Sequence, residues 1–220
     1  FKKKIKSFLE EKSFDIPEYN IFVNNDAVYK LYVDHFYEAG NKNKKIFDQV
    51  YDVQLREIQV NGKILALIWF GISKFEKALP LSSNPMAGLR FRQWNIEVGD
   101  DTNTINFFSE KRGTYYFVGE IHTAPGVLKA NARRDGFTYS NITQKVLDRI
   151  KNLCIEELTP LYRKANVIKN YLKSKDNFET QVNVFNSRSE NSGWENEQHK
   201  EELKNSLTYK YNFAKTNMER

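Results

Sequence analysis

One cysteine, Cys154, stands among 220 residues, which excludes an internal disulfide and any cysteine-rich zinc site. Three histidines, His35, His122 and His199, lie far apart. None has the i, i+4 partner that places two ligands on one helix face, so no metal box is expected. No run approaches the roughly 18 consecutive apolar residues of a membrane span, so a transmembrane helix is excluded. No basic opening leads into an apolar h-region, so no secretory signal is read. The chain opens at Phe1, inside a basic run and without an initiator Met, and reads as a fragment of something longer. A lone cysteine fits a reducing, cytoplasmic setting. Phosphate cradles are also missing: none of the ten glycines is spaced G-x-G, and no P-loop or G-x-S-x-G elbow occurs.

What is present is a basic excess, 34 Lys and Arg against 28 Asp and Glu, for a net charge of +6. Residues 1–50 carry 9 basic and 8 acidic groups, 51–139 carry 11 and 9, and 140–220 carry 14 and 11. A clustered excess would suggest a nucleic-acid footprint. One spread this evenly reads as a solubility feature.

Periodicity separates three regions. Residues 1–50 read as helical or irregular. Val28, Leu31, Tyr32 and Phe36 are spaced for one helical stripe, Gly40-Asn41 would stop it, and Lys42-Asn43-Lys44-Lys45 reads as an exposed loop. From Tyr51 the period becomes two. Asn61-Gly62, between Ile58-Val60 and the run Lys63–Ile72, signals a type I′ hairpin, because both turn positions need positive φ. The run 63–72 is apolar on both faces and belongs inside a sheet with a layer on each side. Leu79–Pro85 reads as loop. Leu89 and Phe91 alternate with Arg90 and Arg92, and Ile96 and Val98 with Asn95 and Glu97. This predicts a half-buried strand pair with an outward charged face. Thr102–Glu110 reads as a short amphipathic segment, Thr114–His122 as a strand and Thr123–Gly136, with Pro125, as a loop. After a Ser140 or Asn141 cap, Ile142, Val146, Ile150, Leu153 and Leu161 form a helical stripe that Pro160 should kink or interrupt. The polar stretch 176–193 reads as a linker, followed by a helix over about 194–214. The fold class expected is α+β: a mixed or antiparallel sheet over 51–139 with packed helices, and a helical C-terminal region over 140–220.

Candidate chemistry is sparse. Cys154 lies on the apolar helical stripe and reads as a core filler. His122, ending a strand, reads as a structural histidine, and Glu97, Asp100 and Asp101 as turn and cap residues. The best candidate is Asn131-Ala132-Arg133-Arg134-Asp135, between a strand and a helix. Adjacent arginines offer planar donor forks that stay charged and suit phosphate oxygens. An arginine reaching a nucleotide bound elsewhere would act as a finger on the transferring phosphate. As a bare motif the same residues also fit a local salt bridge.

Residues 88–158 resemble the middle (transducer) domain of the heat-shock protein 90 chaperones and related GHKL ATPases. That family has a strand pair close to L-x-V-R-R-x-x-I-x-D-D, matched by Leu89-Arg90-Phe91-Arg92 and Ile96-Glu97-Val98-Gly99-Asp100-Asp101. A strand with G-x-[VI] follows, matched by Gly119 and Ile121. Then comes a loop L-x-x-N-x-x-R-[ED], matched by Leu128, Asn131, Arg134 and Asp135. A basic, Leu/Ile-striped helix comes next in the family, as Ile142–Leu158 does here. The gap from Gly119 to Leu128 is two residues longer than in the chaperones, and Thr138 stands where they carry Gln. Those departures favour a divergent bacterial-type relative.

The resemblance implies a transducer-type domain with a left-handed β-α-β arrangement. ATP and Mg2+ would be held mainly by an N-terminal ATPase domain of the same protein, to which residues 1–50 would link. Arg134 and Asn131 would be the catalytic residues, and Arg134 with Arg133 would contact the nucleotide. Hydrolysis would be coupled to conformational change on protein clients; a homodimer is a further partner expectation. Two other classes stay open: a nucleic-acid-handling GHKL module of mismatch-repair or chromatin type, with Arg90, Arg92 and the basic face of 140–175 as contacts, and a non-catalytic dimerisation or interaction module.

Overall fold

The computed structural model describes residues 1–14, 17–28, 30, 32–40, 45–124, 126–194 and 196–219. Contacts divide the chain into two units, Phe1–Tyr162 and Arg163–Arg220. The architecture is α+β, with a five-stranded mixed sheet, packed helices and a C-terminal helical region.

In the first unit a helix, α1 (Lys2–Glu11), precedes two hairpins, β1–β2 (Ile21–Val23, Asp26–Val28) and β3–β4 (His35–Tyr37, Ile46–Gln49). The helical stripe expected over 28–36 is therefore absent: Val28 ends a strand and Phe36 sits in another. The turn explains the difference. Asn24 and Asn25 have φ of 50° and 69°, the paired left-handed geometry of a type I′ hairpin, which asparagine tolerates. Leu31, Asn41 and the loop expected over 42–44 lie outside the described residues.

The main sheet has the order β5 (Asp52–Val60), β6 (Lys63–Ile72), β9 (Val118–Thr123), β7 (Gly88–Gln93), β8 (Ile96–Val98). Asn61 and Gly62 make the expected turn, with φ of 52° and 72°. β6 is interior, antiparallel to both neighbours, and β7 runs parallel to β9. Two 3-10 segments, Asp101–Phe107 and Lys111–Tyr116, occupy the crossover between those parallel strands. β9 passes so close to its neighbours that a Cβ on Gly119 would lie 2.3 Å from the Trp69 carbonyl oxygen and 2.8 Å from Leu89 Cδ2. Only glycine fits there.

Register assigns the two faces. Ile68 and Phe70 pair with Ile121 and Gly119, on the face where Arg56 of β5 reaches Glu157. A helix, α2 (Asn141–Leu153), packs along β5 with Val146 and Ile150 fully buried. Ser140 caps it, accepting a hydrogen bond from the Thr143 amide at 3.0 Å. The opposite face presents Leu67, packed on Leu9 and Phe14, and Trp69, packed edge-on against Tyr32 at 5.2 Å. Leu67 is completely buried, so Leu67→Ala should cost about 2–5 kcal/mol. The midpoint of urea unfolding measures it.

Pro160 does not end the helical run. A π-turn, Cys154–Leu158, precedes a long helix, α3 (Thr159–Ser187), and the Thr159 hydroxyl donates to the Cys154 carbonyl at 2.8 Å. The wider turn leaves room for the proline ring and keeps a freed carbonyl satisfied. In the second unit the stretch expected to be a linker is helical through a further π-turn, Arg188–Ser192, and α4 covers Glu197–Glu219. Phe178 against Tyr211 (5.7 Å) and Phe185 against Trp194 (4.9 Å) hold these helices together. Packing of these widely spaced aromatics overrides the low helix propensity of the Asn and Ser between them. No described helix is long and apolar enough to cross a membrane.

Candidate functional site

The arginine loop is built from a neck and a tip. Ala130 and Phe137 form an isolated antiparallel bridge, and Phe137 packs edge-on against the buried Phe91 at 5.1 Å. At the tip the Asn131 amide nitrogen donates to Asp135 Oδ1 at 2.5 Å, and the Asp135 backbone N–H returns a bond to Asn131 Oδ1 at 3.2 Å. The Arg134 N–H donates to the Asn131 carbonyl at 3.0 Å. Arg134 itself takes φ 57°, an uncommon left-handed conformation for a residue with a Cβ. Arg133 and Arg134 are exposed, and among the described residues neither guanidinium has a hydrogen bond or ion pair. The local salt bridge that the bare motif also allowed does not form. Asn131 and Asp135 hold each other and the backbone, not the arginine side chain.

A second segment braces the tip. The turn after β8 carries Gly99, whose N–H donates to the Arg134 carbonyl at 2.6 Å. Asp100 caps the following 3-10 segment, accepting from the Thr102 N–H at 2.8 Å and its hydroxyl at 2.6 Å. Those bonds hold the Asp100 carboxyl below its usual range. A cleft of about 560 Å³ lies between Asp100, Thr102 and the two arginines.

The other concentration of charge is buried. Glu120 on β9 accepts five hydrogen bonds: Oε1 from Lys30 Nζ (2.8 Å), Tyr32 Oη (3.1 Å) and Arg92 Nε (2.7 Å), and Oε2 from Trp69 Nε1 (3.1 Å) and His122 Nε2 (3.0 Å). Arg92 and Arg90 also share Glu97, at 3.2 and 2.7 Å. The charged face of β7 is therefore not outward, as the alternation predicts, but covered by the segment carrying Lys30 and Tyr32. Both arginines are buried and paired, which removes them as phosphate contacts. Burial alone would push the Glu120 carboxyl up; His122, Lys30 and Arg92 together hold it well below the carboxylate range. Burial lowers Lys30 despite its partner and raises Tyr32 well above its ordinary value. A carboxylate has about four lone-pair sites. With five donors on it, Glu120 has no site left for a substrate, so this cluster anchors the fold.

No protein family, curated protein or solved structure matches the chain.

The remaining sequence candidates fall on structural roles. Cys154 is fully buried, and its thiol is pushed up to about 12 by burial, so it is no nucleophile. Asp101 accepts from Tyr115 Oη at 2.8 Å, and Glu97 serves the β7 arginines. Sequence reasoning passed over Glu120, although its i+2 spacing from His122 on one strand put both on one face. Lys30 carried no signal and Tyr32 only its place in the expected helical stripe, because their pairing with Glu120 spans about ninety residues.

Proposed function

We propose that this chain is a transducer-type domain of a GHKL ATPase related to the heat-shock protein 90 chaperones, with Arg134 contributing to the γ-phosphate of ATP held in a separate N-terminal domain. The observation that carries the reading is the Arg134 turn: a braced backbone that leaves its guanidinium exposed and unpaired. A planar, permanently charged fork on a rigid scaffold suits an incoming phosphate. The order of elements supports it: a strand pair, the strand carrying Gly119, then the arginine loop and a capped helix, in the sequence the resemblance implies. ATP and Mg2+ would be held mainly outside this chain, with Arg134, and Arg133 beside it, approaching when the two domains close. Closure would then transmit hydrolysis to protein clients.

The decisive comparison is ATP turnover by the full-length protein with Arg134→Ala or Arg133→Ala. A second expectation concerns this chain alone. Lacking a glycine-rich cradle of its own, it should neither hydrolyse Mg-ATP nor bind it with micromolar affinity. Isothermal titration checks this, and a micromolar Kd would place a nucleotide site within these residues.

A further inference from the structure

We infer that Asn103 is a positioning residue for Arg134, an inference that rests on the finger reading. Its side-chain amide works in two directions. Oδ1 accepts the Asp100 backbone N–H at 2.8 Å, closing a capping box at the start of the 3-10 segment. Nδ2 donates to the Asp135 carbonyl at 2.9 Å, thirty-two residues further along the chain. With the Gly99 N–H on the Arg134 carbonyl, two successive carbonyls of the arginine turn are held by the segment 99–103. The Gly99 bond fixes the peptide plane between Arg134 and Asp135, and the Asn103 bond fixes the next plane, between Asp135 and Gly136. With both planes on its C-terminal side held and Arg134 in its left-handed conformation, the direction in which its Cβ leaves the backbone is set.

The brace is itself rigid. Thr104, next to Asn103, is fully buried, and its hydroxyl donates to the Leu89 carbonyl of β7 at 2.9 Å. The brace therefore runs from the sheet through Thr104 and Asn103 to the arginine turn. Gly99 leaves no slack: a Cβ there would lie 2.1 Å from Asn103 Oδ1, in a residue whose φ is 75°. Among the described residues no other side chain outside the loop bonds to the 131–136 tip. Asn103 is thus the one side chain, among the described residues, that joins the Gly99 N–H in coupling the orientation of the finger to the crossover between β7 and β9.

Two variants separate this role from capping. Asn103→Ala removes both bonds. Asn103→Asp keeps the acceptor for the Asp100 N–H and loses the donor to Asp135. A misplaced catalytic group commonly costs about a hundredfold in rate. Both variants of the full-length ATPase are expected to lower kcat about 10- to 100-fold with KM for ATP unchanged. Added charge cannot explain the loss in the alanine variant, and a lost cap cannot explain it in the aspartate variant. Ile58→Val, which trims the core on β5, controls for general destabilisation and should leave kcat alone. Adding Asn103→Ala to Arg134→Ala should lower turnover no further, because Asn103 acts through that side chain. Normal turnover in Asn103→Asp assigns the residue to capping alone and overturns the inference. A loss in Arg134→Ala with turnover retained in Asn103→Ala overturns it while the finger reading stands. Unchanged turnover in Arg134→Ala overturns both.

Discussion

Arg134→Ala is expected to lower ATP turnover of the full-length protein about a hundredfold or more, while ATP affinity stays within about twofold. Arginine fingers contribute about 10³–10⁵ in rate in GTPases. A smaller factor is expected where domain closure limits turnover. Affinity is spared because the arginine meets the nucleotide only in the closed state, so its loss acts on the transition state and not on resting binding. Arg133→Ala is the comparison: it removes a second exposed charge from the same turn, beside the nucleotide but outside the finger position, and is expected to cost less turnover. Neither change should move stability by more than about 1 kcal/mol, since neither guanidinium has a protein partner. Arg134→Lys should fail to restore turnover, because a point charge does not reproduce a planar fork. Steady-state ATPase assays across the three variants decide it. Equal turnover in Arg134→Ala and Arg133→Ala sinks the assignment.

The largest effect on stability is expected at Glu120. Glu120→Gln keeps the shape and removes the charge, leaving Arg92 and Lys30 facing a neutral amide in a buried setting. Removing one partner of a buried ion pair costs about 3–5 kcal/mol, and urea unfolding at pH 7 measures it. The pH dependence has a definite sign. The carboxyl is held below its ordinary value in the folded protein, so folding is favoured by its ionised form. That stability is complete above the unfolded value of about 4.3 and is lost as pH falls through the folded one. The difference between the native chain and Glu120→Gln should therefore shrink steadily below about pH 4.5. A gap of the same size at pH 7 and pH 3 would show that shape, and not charge, sets the cost.

Both sites were legible to different depths, and the reason is sequence distance. The arginine loop could be read because its residues are neighbours: Asn131, Arg134 and Asp135 lie within five positions and bond to one another. Its brace could not, because Asn103 meets Asp135 only after the crossover brings the two turns together. The same holds for hairpins. Asn61-Gly62 is a strong turn signal, whereas Asn24-Asn25 makes the same turn with a weaker one and lost to the helical spacing of Val28, Tyr32 and Phe36. On β7 the alternation of Leu89 and Phe91 with Arg90 and Arg92 correctly gave two faces. It could not say that the charged face is covered, because the cover comes from Lys30 and Tyr32 far upstream. Over 176–193, composition pointed to a linker, while Phe178 and Phe185 had distant partners that composition ignores.

The Glu120 anchor also imposes an order of events during synthesis. Lys30 leaves the ribosome ninety residues before the carboxylate that holds it. At about 5–20 residues per second that is a wait of roughly 5–20 s. Through that interval the segment around Lys30 and Tyr32 has no dock, since β9, the central partner of β6 and β7, has not emerged. The segment around Lys30 and Tyr32 thus cannot dock before β9 emerges, and Ile21, Phe22 and Val23, which remain exposed even in the folded molecule, stay open to passing chaperones throughout.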